Sequence, residues 1–347
     1  MAPFSATRDR PCRYRRGAGL IAGFVGVALT VGACGQSGTP RTTANVKTYT
    51  VPTPDGGPAA IIAGPDGAMW FIEASGNKVG RVSSAGAFTE YLIPTPNSSG
   101  PDAGITVGPD GNIWLTEPFA NQIARLTPEG KFTEFAIPSP KAYPTGITSG
   151  PEGSVWFIES SVSRIGKITT RGEVTEFTVG APELFNDPGP ITTGPDGNLW
   201  FTRGLGPVWR MTTTGQVTDY PVTTGFEGDI TTGPDGNLWF DESDTYPAIG
   251  KMTPSGVVTE YRIPEDGIPE AHPLYLRAGN GKLWFSMDSF GAFLGSVTTT
   301  GVFTEFTLPG FPNQGGSDTS GLAVGPDGNV WYTIGETDQV VELVVPR

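Results

Sequence analysis

Gly194-Pro195-Asp196-Gly197-Asn198-Leu199-Trp200-Phe201 is the stretch that decides the fold. Pro presets φ, Asp bonds its own backbone and Gly accepts a positive φ, so Pro-Asp-Gly reads as a tight turn. The Leu-Trp-Phe behind it is short, apolar and aromatic, which suits a buried strand. The same unit stands at 64–71, 108–115, 150–157, 233–240 and 325–332, with a copy one residue shorter at 279–285. Seven copies make this a repeat protein.

The repeat tryptophans are Trp70, Trp114, Trp156, Trp200, Trp239, Trp284 and Trp331, at steps of 44, 42, 44, 39, 45 and 47 residues. Steps of this size occur in propeller blades and in helical arrays alike. No stretch free of Gly and Pro carries a 3.6-residue apolar period, whereas alternating β-branched runs are everywhere, and this excludes the helical option. The third repeat divides into four strands, 146–149, 155–159, 164–169 and 174–179, with the turn Thr170-Arg171-Gly172 between the last two. Four strands are the unit of a propeller blade. The last repeat ends at Val344 without a fourth strand of the Thr-Glu-Phe type, while a strand of that type, 46–52, stands unpaired before the first tryptophan. The expectation is therefore all-β: a seven-bladed β-propeller of four-stranded blades, its ring closed by the N-terminal strand so that no edge is left open at the seam.

The ends imply a location. Arg8, Arg10, Arg13, Arg15 and Arg16 precede an apolar run over 17–31, and Val31-Gly32-Ala33-Cys34 follows. This predicts a lipoprotein signal peptide over 1–33, with an apolar run too short to span a membrane comfortably. It also predicts a lipidated Cys34 opening a flexible tether over 34–45, and a propeller over 46–347. The protein is then an exported bacterial lipoprotein, anchored to the outer side of the cell membrane. Cys12 lies within the signal, so the mature chain has no disulfide. The full chain has net charge −13; without residues 1–33 it keeps 17 basic and 34 acidic side chains, net −17. Such a surface argues against nucleic acid as a partner, and makes the lipid rather than charge the membrane attachment. A monomer taking a small molecule or glycan at the mouth of the central channel is the expected arrangement.

Candidate site residues come from two places. The second strand ends in Trp-Phe-x-Glu or close variants, giving Glu73, Glu117, Glu159 and Glu242, with Arg203 at the same place in the fourth repeat. Ring symmetry predicts that they converge on the channel mouth, where carboxylates would suit a hard cation or a polar ligand; solvated strand-end charges or loop caps are the alternative. The chain's single histidine, His272, follows Glu270 in a loop before the sixth blade. A His beside a carboxylate can act as a general base, the carboxylate tuning it or holding a metal; a surface-loop histidine is the alternative. Trp209 reads as a replacement for an apolar third-strand residue, with a binding aromatic as the alternative.

The segments 146–159, 165–169 and 133–138 carry Gly-Ile-Thr-x-Gly-Pro-x-Gly-x-x-Trp-Phe-x-Glu, Ile-Gly-Lys-Ile-Thr and Thr-Glu-Phe-x-x-Pro. These repeats resemble the virginiamycin B lyase, or streptogramin lyase, family over essentially all of 46–347. The resemblance implies a lyase that opens the lactone of type B streptogramins by elimination. In it a magnesium ion polarises the substrate and a histidine removes the proton next to the carbonyl. The family histidine stands in Pro-His-Gly-Ile-Thr, 11 residues before the repeat tryptophan. Here those positions hold Ala59, Ala103, Thr145, Gly189 and Gly228 in the first five repeats and Ser320 in the seventh. His272 lies 12 residues before Trp284, one too early, and counted from Gly279 it is two too early. Glu270 and His272 nevertheless echo the pairing of a metal ligand with a base. Three functions remain open: a metal-dependent carbon–oxygen lyase; a non-catalytic propeller binding a small molecule, glycan or envelope protein; and a lactone hydrolase of the gluconolactonase type.

Overall fold

The computed structural model describes residues 41–180, 189–202, 206–222, 228–242, 247–264, 272–288, 293–308 and 319–346. They form seven antiparallel blades, and the first strands of successive blades touch one another around a closed circle. Blade 1 consists of Pro58–Ala63, Met69–Glu73, Lys78–Val82 and Phe88–Leu92, from the axis outward. Blade 3 shows the expected division, with strands Pro144–Gly150, Ser154–Glu159, Arg164–Thr169 and Val174–Thr178. No α-helix occurs among the described residues.

Each residue of the Gly-Pro-Asp-Gly-x-x-Trp motif has its own physical task. The indole N–H donates to the turn aspartate: Trp70 to Asp66, Trp114 to Asp110 and Trp200 to Asp196 at 2.9 Å, and Trp239 to Asp235 at 2.8 Å. The first glycine makes room for the indole. A Cβ on Gly64, Gly108, Gly194 or Gly233 would lie 2.1–2.3 Å from the tryptophan Cδ1. The second glycine answers to conformation instead, since Gly197 has φ +73 with open space beside it. Above each indole lies the aromatic residue of the outer strand, as in Trp70–Tyr91 at 5.5 Å and Trp114–Phe135 at 5.6 Å. In blades 1 to 5 a cation of the third strand, such as Arg81 or Lys251, covers the ring as well. All seven tryptophans are at most 1% exposed. They form the core of the blade-to-blade seams.

The ring closes as expected. Asn45–Thr50 pairs antiparallel with Gln339–Val344, and Tyr49 stacks on Trp331 at 5.7 Å, taking the place that an outer-strand aromatic holds in the other blades. One feature differs from the expected flexible tether. Arg41–Thr43 runs parallel to Phe303–Thr307 as a fifth strand of blade 6, and Ala44 is buried beside Phe306 and Leu308. The segment thus straps two blades before it closes the ring. Trp209 lies on the third strand of blade 4 opposite Phe201, where other blades carry Gly80, Gly166, Gly250 or Gly295. It is partly buried and packs against the blade core, in the place of a glycine rather than of the expected apolar residue.

Candidate functional site

The Pro-Asp-Gly turns and the hairpins between third and fourth strands share one end of the blades. The other end carries the linkers from each outer strand to the next inner strand, together with the turns after Glu73, Glu117, Glu159 and Glu242. A correction falls on these four carboxylates. They do not converge as exposed groups on the mouth: Glu73, Glu117 and Glu159 are 0% exposed and Glu242 is 1%. The cause is strand alternation. In Trp-Phe-x-Glu the glutamate shares the face of the Phe, which packs into a seam, and the incoming linker then folds over it. Glu73 Oε2 sits where a Cβ on Gly56 or Gly76 would meet it at 3.1 or 3.0 Å.

In blades 1 to 3 two glutamates lie together with opposite fates. Those of the outer strand clasp the linker: Glu90, Glu134 and Glu176 accept the N–H of Thr53, Thr95 and Ser139 at 3.0, 2.9 and 2.8 Å. Lys78 and Arg164 complete two of the clasps, with Glu90 and Glu176. Burial opposes ionisation of Glu90, but Lys78 and Thr53 outweigh it and hold the carboxyl below its ordinary value. The inner partners go the other way. Burial, reinforced by Glu90, pushes Glu73 up to about 7. Burial pushes Glu117 to about 7, and burial with the adjacent Glu176 pushes Glu159 to about 8. Neither oxygen of Glu73, Glu117 or Glu159 accepts a hydrogen bond of good geometry, so protonation relieves a buried charge.

Arg203, Glu270 and Cys34 lie outside the described residues. His272 begins the inner strand of blade 6 (His272–Gly279), where its backbone pairs with Asp288. Strand register gives its offset from the family position directly. Pro58 pairs with Glu73, Pro144 with Glu159, Pro273 with Met287 and Thr319 with Ile334. The residue after each of these, Ala59, Thr145, Leu274 and Ser320, is the family histidine's position. In blade 6 it is a leucine, and His272 stands two residues earlier, level with Tyr143 of blade 3.

The described residues do not fit a magnesium ion. Glu73, Glu117, Glu159 and Glu242 belong to four different blades, and no group of three or more His, Cys, Asp or Glu that could hold a metal occurs among the described residues. One charged cluster had no signal in the motif spacing: Asp229 just before the inner strand of blade 5, Asp241 on that blade's second strand and Arg277 on the inner strand of blade 6, which meet where blades 5 and 6 join.

The comparisons with known proteins agree with this architecture. The model of the virginiamycin B lyase family matches residues 29–186 and 104–345. A streptogramin B lyase structure is 32% identical, with a TM-score of 0.77, and the match covers 87% of this chain and 98% of that one. Selenomethionine-substituted virginiamycin B lyase from Staphylococcus aureus is 31% identical with a TM-score of 0.76, over 87% of this chain and 99% of that one. A catalytically inactive His-to-Ala variant of the same S. aureus enzyme, with quinupristin, is 30% identical with a TM-score of 0.75, over the same shares. No curated protein matches the chain.

Proposed function

The chain belongs to the virginiamycin B lyase family, and from that premise we propose that it is a propeller that binds a small ligand at its channel mouth without the family's elimination chemistry. One observation carries this reading. The seven positions equivalent to the family histidine hold Ala59, Ala103, Thr145, Gly189, Gly228, Leu274 and Ser320. None of these side chains accepts a carbon-bound proton near neutral pH. The seam glutamates do not replace the histidine, because Glu73, Glu117, Glu159 and Glu242 are buried. On this reading the protein is an exported lipoprotein, held by a lipid on Cys34 at the outer side of the cell membrane, and it presents the mouth to a small molecule or glycan.

A lyase reading keeps one foothold. The backbones of His272 and Asp288 are in register at the linker end of blade 6, and Glu270 precedes that histidine by two residues. Incubation of the full chain with quinupristin and magnesium separates the alternatives by mass and ultraviolet absorbance. The binding reading expects saturable binding and unchanged quinupristin. Ring opening at unchanged mass with a new conjugated double bond, lost in His272→Ala, would overturn it in favour of a lyase. Gain of one water would overturn it in favour of a lactone hydrolase.

A further inference from the structure

Asp241 breaks a pattern of the second strand. Its position, two residues after the repeat tryptophan, holds Ile72, Thr116, Ile158, Thr202, Ser286 and Thr333 in the other blades. Every hydroxyl in that set acts as a donor. Thr116, Thr202 and Thr333 donate to the carbonyls of Thr145, Gly228 and Ala59 on the next blade's inner strand, at 3.0, 2.9 and 2.6 Å. Ser286 donates to Leu274 in its own blade at 3.2 Å. The site is thus built to receive a donor, and blade 5 places a carboxylate there.

The geometry around Asp241 is unusual in a second way. Its carboxylate fills the space that a side chain at Gly228 would take, since a Cβ there would lie 1.8 and 1.9 Å from its two oxygens. Asp241 is 2% exposed, and neither oxygen accepts a hydrogen bond of good geometry, although the backbone N–H groups of Asp229 and Asp241 favour its charged form. Asp229 lies beside it, accepting the N–H of Ile230 at 2.9 Å and an ion pair from Arg277. Arg277 stands where the inner strands of blades 2 to 5 carry Thr106, Thr148, Thr192 and Thr231. It also donates to the carbonyl of Leu276 at 2.8 Å. Two carboxylates therefore share one guanidinium, and Asp241 has no side-chain donor and no counter-charge of its own. A buried charge in that state is costly unless something positive joins it.

We infer that Asp241, with Asp229 behind it, anchors a positively charged nitrogen of the ligand, a primary ammonium group. An ammonium supplies what this place lacks: N–H donors for the two free oxygens and a positive charge for the cluster. The chain's net charge of −13 favours the approach of such a cation. Arg277, with a side chain 37% exposed, is the member of the cluster that reaches solvent. It competes with the ligand for Asp229. This inference rests on the reading of the mouth as a binding site, and it names the chemical class that the site takes.

The test is calorimetric titration of the full chain with ethylammonium chloride, against potassium chloride at equal ionic strength. Saturable binding of the amine alone is expected, weakened about tenfold or more in Asp241→Asn, as for loss of a charged hydrogen-bond partner. Arg277→Gln, which removes the competing cation, is expected to tighten binding, an effect that a merely structural role for the cluster would not produce. Circular dichroism of each variant establishes that it is folded. Absence of saturable amine binding, or equal binding by wild type and Asp241→Asn, would overturn the inference and leave Asp241 with a proton as its only partner. Quinupristin binding, measured in parallel, separates this failure from that of the mouth as a ligand site: if it persists while the amine does not bind, only the ammonium pocket falls.

Discussion

Replacing Glu159 by Gln tests how the seams are held together. Glu159 is fully buried against Glu176, which is itself committed to Ser139 N–H and to Arg164 at 2.8 Å. Burial first, and the neighbouring Glu176 second, raise Glu159 from 4.5 to about 8. The sign follows from linkage. Below pH 4.5 the folded and unfolded chains both carry the proton; between 4.5 and about 8 only the folded chain does; above that neither does. Each pH unit across this window removes about 1.4 kcal/mol of stability, so the ceiling is about 5 kcal/mol, and water penetration into the seam brings the expected loss to about 2–5 kcal/mol. Glutamine has the shape of the protonated acid, donates to Glu176 and does not titrate. Urea-denaturation midpoints from pH 5 to 8.5 should therefore show wild type losing stability faster than Glu159→Gln, with the variant gaining about 2–4 kcal/mol relative to wild type across that range. A difference that stays constant with pH would refute the claim that this carboxyl is folded in its neutral form.

Two further outcomes follow from the repeat motif. Gly166→Ala places a Cβ 2.1 Å from the ring of Phe157 and should cost about 3 kcal/mol or more, as overpacking in a full core; Gly197→Ala, with φ +73 and open space, should cost about 1–2 kcal/mol for the left-handed backbone alone. Equal urea midpoints for the two would contradict the division of labour between the glycines. Asp196→Ala strands the indole N–H of Trp200 and should cost about 1–3 kcal/mol at neutral pH. Burial opposes ionisation of Asp196, but Trp200 and Asn198 outweigh it and hold its pKa below 3.8. The wild-type advantage should accordingly be full above that value and fade as pH falls below it, a dependence read by the same titration.

The propeller was legible because its signals are local and repeated. A turn that needs Pro, Asp and Gly in fixed order, followed by a strand that needs Trp, leaves little room for another fold, and seven copies multiply the constraint. The closing strand was legible for the same reason, since Tyr49 sits in a copy of the outer-strand motif. Arg41–Thr43 matches no repeat, so its pairing with Phe303–Thr307 is a tertiary event that no periodicity announces.

The site was less legible, and the seam glutamates show why. Period-2 alternation already places Glu73 on the face of Phe71, and Phe71 is buried. The signal for burial was present, yet ring symmetry pointed at the mouth. Symmetry fixes the height of a side chain along the channel but not its direction, and direction separates a ligand from a clasp. Blade 6 teaches the complementary lesson. Counting back from Trp284 puts His272 one residue from the family position, while pairing of Pro273 with Met287 puts it two away. The missing residue of that blade lies in the turn before Lys282, so a count through the turn carries the deletion into the inner strand, and a count along the strand does not. Hydrogen-bonded register is thus the measure that bears on chemistry, and by that measure Leu274 occupies the place of the base. A side chain two residues along a strand from its neighbour is displaced by about 6–7 Å, beyond the hydrogen-bond reach of about 3 Å that proton abstraction requires.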